Sequence, residues 1–116
     1  MKLRHVVLFG FEKARSPAAI AEVVRCFAEL KALVPGIDDF EWGENSSAES
    51  LDNGHSHVFL LTFANARARD AYLVHPDHAA FANWVQPFVS VVTVLDYWVE
   101  SKAPAVSGDA SSSSVP

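Results

Sequence analysis

Apolar and polar positions alternate along this chain with two different periods, and the switch between them predicts its elements. Leu3 to Phe11 is short, rich in β-branched and aromatic residues, and reads as a strand. Val6 and Leu8 fall on one face, Val7 and Phe9 on the other, so both faces of this strand are expected to be buried. Ser16-Pro17 then supplies a capping hydroxyl before a proline suited to the first helical position. Ile20, Val23, Val24, Phe27, Leu30, Leu33 and Val34 follow at helical spacing until Pro35-Gly36 stops them.

A second strand is predicted from Ile37 to Gly43, with Phe40 and Trp42 among acidic neighbours, and a polar loop from Asn45 to Gly54 follows. His57 to Phe63 is again apolar on both faces. Asn65 caps a helix carrying Ala66, Ala71, Tyr72 and Leu73; Pro76 breaks it, and a second helical piece carries His78, Phe81, Trp84 and Val85 until Pro87. Val89 to Val99 is the longest β-like run and gives the last strand. The order strand, helix, strand, strand, broken helix, strand is that of an α+β, ferredoxin-like βαββαβ sandwich with a four-stranded antiparallel sheet.

Two helices cover only one face of such a sheet. The uncovered apolar face predicts a homodimer, formed by packing it against the same face of a second copy into a dimeric α/β barrel. Residues 1–100 make the folded domain. From Ser101 the chain runs through Lys, Ala, Pro, Ser, Gly and Asp without apolar periodicity, so 101–116 is expected to be a disordered tail.

Composition narrows the function. The chain is half hydrophobic residues and carries a net charge of −5, which argues for a globular core and against nucleic acid or an anionic membrane as partner. The single cysteine, Cys26, excludes a cysteine-rich zinc module and suits a reducing cytosol, and the short apolar run before Glu12 is no signal peptide; the expected location is cytoplasmic. No glycine-rich phosphate loop and no nucleophile elbow occurs, so no cofactor is expected.

The chemistry concentrates in Tyr72-Leu73-Val74-His75-Pro76-Asp77-His78, where a phenol and two imidazoles crowd around a helix break. Those groups can build a metal-free proton-transfer site, with His78 as base and Tyr72 as hydrogen-bond donor to an oxygen. The alternative is that both fix the break by bonding to backbone groups. His5 and His57 each place an imidazole in an otherwise apolar strand row, as hydrogen-bonded core residues or as walls of a shared cavity. The i, i+3 pair His75 and His78 is a weak metal signal with a proline between, and no metal is expected. His55, in the polar loop, is expected to face solvent.

His5 to Phe9, Pro35-Gly36-Ile37 with Phe40 to Gly43, the His57 strand ending Leu61-Thr62-Phe63, the Tyr72 to His78 stretch with Phe81, and Asp96-Tyr97 together resemble the stress-responsive α/β-barrel domain family. The resemblance covers about residues 2 to 99 and implies a dimeric α+β barrel. One branch of that family is a cofactor-independent polyketide cyclase whose catalytic tyrosine and histidine match Tyr72 and His78, with histidines resembling His5 and His57 in the cavity. It implies a substrate wall from Phe27, Phe59, Leu73 and Phe81. Phe27 stands where that cyclase has a tyrosine, so one substrate hydrogen bond is absent. Two function classes stay open: an acid/base enzyme acting on a small carbonyl, polyketide-like substrate, and a non-enzymatic stress-associated dimer that binds an apolar or aromatic small molecule.

Removal of the residues after about Ser101 is expected to leave the thermal melt within about two degrees of the full chain, since surface changes rarely exceed about 0.5 kcal/mol. A clearly lower melting temperature would show that the tail docks on the domain.

Overall fold

The computed structural model describes residues 1–99, and the expected tail lies outside them. Element order follows the sequence reading: β1 (Leu3–Phe11), α1 (Pro17–Leu33), β2 (Ile37–Glu44), β3 (His57–Phe63), α2 (Ala66–Leu73), α3 (Pro76–Val85), a 3-10 turn (Gln86–Phe88) and β4 (Val89–Trp98). The strands form one antiparallel sheet in the order β2-β3-β1-β4, which is the ferredoxin-like arrangement.

Capping follows local chemistry. The Ser16 hydroxyl accepts from the Ala19 amide at 3.1 Å, with Pro17 in the first turn, and the Asn65 side chain accepts from the Ala68 amide at 2.9 Å. Val34 leaves the helix that its apolar character had extended, at φ −110° and ψ 120°, because the residue before a proline is driven to the extended region. Its amide still donates to the Leu30 carbonyl at 2.8 Å. Gly10, where the β1–β4 register shifts, has no room for a side chain: a Cβ there would meet the Gly54 carbonyl oxygen at 2.2 Å.

One sheet face carries the core. Leu3, His5, Val7 and Phe9 of β1 and His57, Phe59, Leu61 and Phe63 of β3 point at α1, α2 and α3, where Val23, Phe27, Leu30, Tyr72, Phe81 and Val85 close over them. Fully burying side chains of this size stabilises by about 1.5–3 kcal/mol each. The helices do not reach across the sheet. Val92 and Val94 of β4, in register with Phe9 and Val7, stay about half exposed and leave a cleft beneath the broken helix.

The opposite face has no helix. It presents Val6 and Leu8 of β1, Val58 and Leu60 of β3, and Leu95 and Tyr97 of β4, the last two 59% and 48% exposed. His55 is not out in solvent: its Nδ1 meets the Asp52 carbonyl at 2.6 Å and its Nε2 the Thr93 hydroxyl at 2.8 Å, because the loop folds back over the end of β4. Cover for this apolar face by a second copy remains the expectation, and sedimentation at micromolar concentration is expected to give a dimer. Leu95→Glu should shift that equilibrium toward monomer by setting a carboxylate against its symmetry mate, whereas a wild-type monomer would defeat the expectation.

Candidate functional site at the helix break

The break between α2 and α3 is built by the dipeptide His75-Pro76. Pro76 disfavours the helical conformation for its predecessor, and His75 sits in the extended region at φ −68° and ψ 138°. His75 Nδ1 then accepts from the Asp77 amide at 3.1 Å, so this imidazole is an N-cap, a role the sequence reading did not assign. Among the described residues no group of three metal-binding side chains gathers here or elsewhere.

The chain restarts one turn on with His78, whose Nδ1 lies 3.1 Å from the Leu73 carbonyl at the end of α2. A carbonyl only accepts, so Nδ1 carries the proton and Nε2 is the free nitrogen. The His78 ring packs on Tyr72 with centroids 4.4 Å apart. Tyr72 is 1% exposed, yet its hydroxyl has no hydrogen-bond partner among the described residues. No sealed, unpaired side-chain polar atom is found among them, so the hydroxyl opens onto the cleft. His78 therefore has a structural bond to backbone, as one reading of the motif required, while Tyr72 does not.

The cleft encloses about 530 Å³ and brings His5, Tyr72 and His78 together with Phe27, Leu73 and Phe81. Burial pushes the Tyr72 phenol well above its usual range and leaves it a donor. His78 is held below the usual imidazole range, first by burial and further by nearby His5, against the Leu73 bond that acts the other way. It rests as the neutral base.

His57 and Phe59 are not part of this cleft. In the β1–β3 ladder His5 faces Leu61 while His57 faces Phe9, four residues along β1 and so roughly 13 Å away. His57 turns instead to a second cleft between α1 and β2, stacked on Trp42 at 7° with its Nδ1 2.9 Å from the Ser56 hydroxyl and its Nε2 3.6 Å from Glu44. Burial lowers its pKa against the raising effect of Glu44. Phe59 is fully buried behind Phe27, stacked on it at 4.5 Å. It supports the wall without forming it.

Two residues of the site had no assigned role. Asp96 Oδ1 accepts from His5 Nδ1 at 2.7 Å, and Asp96 Oδ2 accepts from Arg69 Nη1 at 2.7 Å. The first contact follows from the β1–β4 register, which sets His5 opposite Asp96. A carboxylate continuing the apolar row Val92, Val94 was the available signal.

Set beside known proteins, this chain falls in one class. The chain matches the Stress responsive A/B Barrel Domain over residues 3–99. It belongs to that family. It is 35% identical over 95 residues to a stress-response A/B barrel domain-containing protein of Arabidopsis thaliana, covering 82% of this chain and 87% of that one. It is 23% identical over 97 residues to the olivetolic acid cyclase of Cannabis sativa, covering 84% and 96%. Among solved structures, a hydroxynitrile lyase from Passiflora edulis superposes with a TM-score of 0.82 at 21% identity, covering 89% of this chain and 97% of that one, a likeness of fold. A dimeric ferredoxin-like protein of unknown function from a Jannaschia species superposes with a TM-score of 0.71 at 27% identity, covering 85% and 100%. Among the described residues no helix is long and apolar enough to cross a membrane.

The buried imidazoles give the fold a pH dependence of known sign. His57 and His78 have folded pKa values below the unfolded value of about 6.5, so below that pH the unfolded chain binds more protons than the folded one. Their contribution is complete above about pH 6.5 and is lost as pH falls through the folded values. The melting temperature is expected to drop between pH 7.5 and 5.5, with a smaller drop in His57→Gln. A melting temperature that rises on acidification would contradict the burial of both rings.

Proposed function

We propose that this protein is a cofactor-independent acid/base catalyst for a small, neutral carbonyl compound of polyketide type, working as a homodimer. One observation carries the reading: at the same apolar cleft the Tyr72 hydroxyl has no partner among the described residues and the His78 Nε2 is free, on rings 4.4 Å apart. The family relative named olivetolic acid cyclase supports the choice of substrate class.

His78 takes a proton from the carbon next to a carbonyl through Nε2, while its Nδ1 stays bonded to Leu73. The resulting enolate oxygen receives the Tyr72 hydrogen bond, which the apolar side chains of Phe27 and Phe81 beside it strengthen. Attack of the enolate carbon on a second carbonyl of the same molecule closes a ring, and the proton held by His78 returns to the new alkoxide. Atoms balance without a co-reactant. His5 offers a further contact to a substrate oxygen. The 530 Å³ cleft suits a ligand of drug-like size or smaller.

Deuterium uptake at the α-carbon of neutral medium-chain methyl ketones and β-keto thioesters, followed by NMR in D₂O, tests this without the native substrate. Wild-type protein is expected to accelerate exchange. His78→Ala and Tyr72→Phe should each lower the rate by about 10²-fold or more, with the double variant losing far less than the product because the pair acts as one unit. His57→Gln should stay within a few-fold of wild type. Binding of the same ketones with no exchange above the buffer rate would refute catalysis and leave the non-enzymatic apolar-ligand reading in its place.

A further inference from the structure

Asp96 sits between two nitrogen donors. Its Oδ1 is 2.7 Å from His5 Nδ1 and its Oδ2 is 2.7 Å from Arg69 Nη1, while Arg69 Nε also reaches Asp70 Oδ1 at 2.9 Å. The three residues come from β1, β4 and α2. Arg69 lies three positions before Tyr72, on the same helix face, so the helix that offers the phenol to the cleft also brings the guanidinium to the carboxylate behind His5.

We propose that Arg69 is a positioning residue: by holding the Asp96 carboxylate in place, it fixes His5 as a donor through Nδ1, so that Nε2 of His5 is turned toward the cleft beside the Tyr72 hydroxyl. An ionised carboxylate only accepts, so Asp96 fixes the proton on Nδ1 and leaves Nε2 bare. Arg69 occupies the other oxygen and holds the carboxylate where it meets His5 Nδ1. Phe63 and Leu61 from β3, Tyr72 from α2 and His78 from α3 also lie near His5, and none of these is an anion. Asp70, the second partner of Arg69, is 65% exposed, and water screens it.

The consequence is a specificity. With His5 Nε2 and His78 Nε2 as acceptors and Tyr72 as donor, the cleft matches a ligand that offers one carbonyl and one hydrogen-bond donor, as the enol form of a 1,3-dicarbonyl does. It offers a carboxylate no unpaired cation. The inference rests on the proposed carbonyl chemistry for its meaning and on none of it for its test.

Long-range ¹H–¹⁵N NMR of imidazole-labelled full-length protein at pH 7 reads each ring nitrogen as protonated or bare. Wild type should show His5 with protonated Nδ1 and bare Nε2. Arg69→Leu should release the carboxylate and mix the two His5 tautomers, Arg69→Lys should restore most of the wild-type signal, and Asp96→Asn should mix the tautomers as well. Circular dichroism and sedimentation identify any variant that has lost its fold, and the lysine variant keeps the test open if the leucine variant does. His5 signals unchanged in Arg69→Leu, or a wild-type His5 with its proton on Nε2, overturn the proposal even where ketone exchange proceeds. The expected signals in a protein that exchanges no ketone would leave the proposal standing and refute catalysis alone.

Discussion

The site depends on the backbone restriction that Pro76 imposes on His75. A proline ring disfavours the helical region for the residue before it, and the helix that α2 begins stops at Val74. Without that stop, Tyr72 and His78 would be six residues apart on one helix and would point in directions about 120° apart rather than meet. The break brings their rings to 4.4 Å and lets His78 reach back to the Leu73 carbonyl that the break has left without a helical donor. One dipeptide thus supplies both the juxtaposition and the tautomer. The N-cap made by His75 turns the break into a defined joint.

Local chemistry was therefore readable in the sequence wherever it was written locally. Ser16-Pro17, Asn65 and His75-Pro76 announce their own conformations, and the two-sided apolarity of β1 and β3 announces a sheet whose second face wants cover. The Tyr72 to His78 stretch could be identified because all its parts lie within two helical turns. His57 was misplaced for the complementary reason: an imidazole in an apolar row declares that it faces the core, but its position along the sheet is set by register. The pairing of Phe9 with His57 carries it to the far end. Asp96 and Arg69 were missed because their partners lie across the sheet and on another layer, 91 residues away for His5 and 27 for Arg69. Val34 is a smaller instance, in which apolar spacing extended a helix that the next residue forbids.

The two clefts show how the same residue type is put to different ends. His57 is buried and His78 half-buried, and desolvation holds both below the usual imidazole range. His78 is backed by a backbone carbonyl and opens beside an unpaired phenol, whereas His57 is stacked on an indole and faces a glutamate too distant for a hydrogen bond at 3.6 Å. Only the first has donor, acceptor and apolar wall in one enclosure. Family membership alone would not have told them apart, because a shared fold places both histidines on the helix side of the sheet.

The charge arrangement around the first cleft follows from the same economy. An apolar enclosure strengthens every hydrogen bond made inside it and raises the penalty of any unpaired charge by the same mechanism. Among the described residues Asp96 is the one carboxylate on the cleft wall, and it is bonded twice, by His5 and by Arg69. Its field is consumed before it reaches the space where a ligand would sit. What remains exposed to that space is a phenol that keeps its proton and imidazole nitrogens that lack one, and these groups differ from water chiefly in being fixed. Such a set stabilises charge that appears during a proton transfer more than charge that a ligand brings with it, which is the condition for lowering a barrier rather than for tight binding.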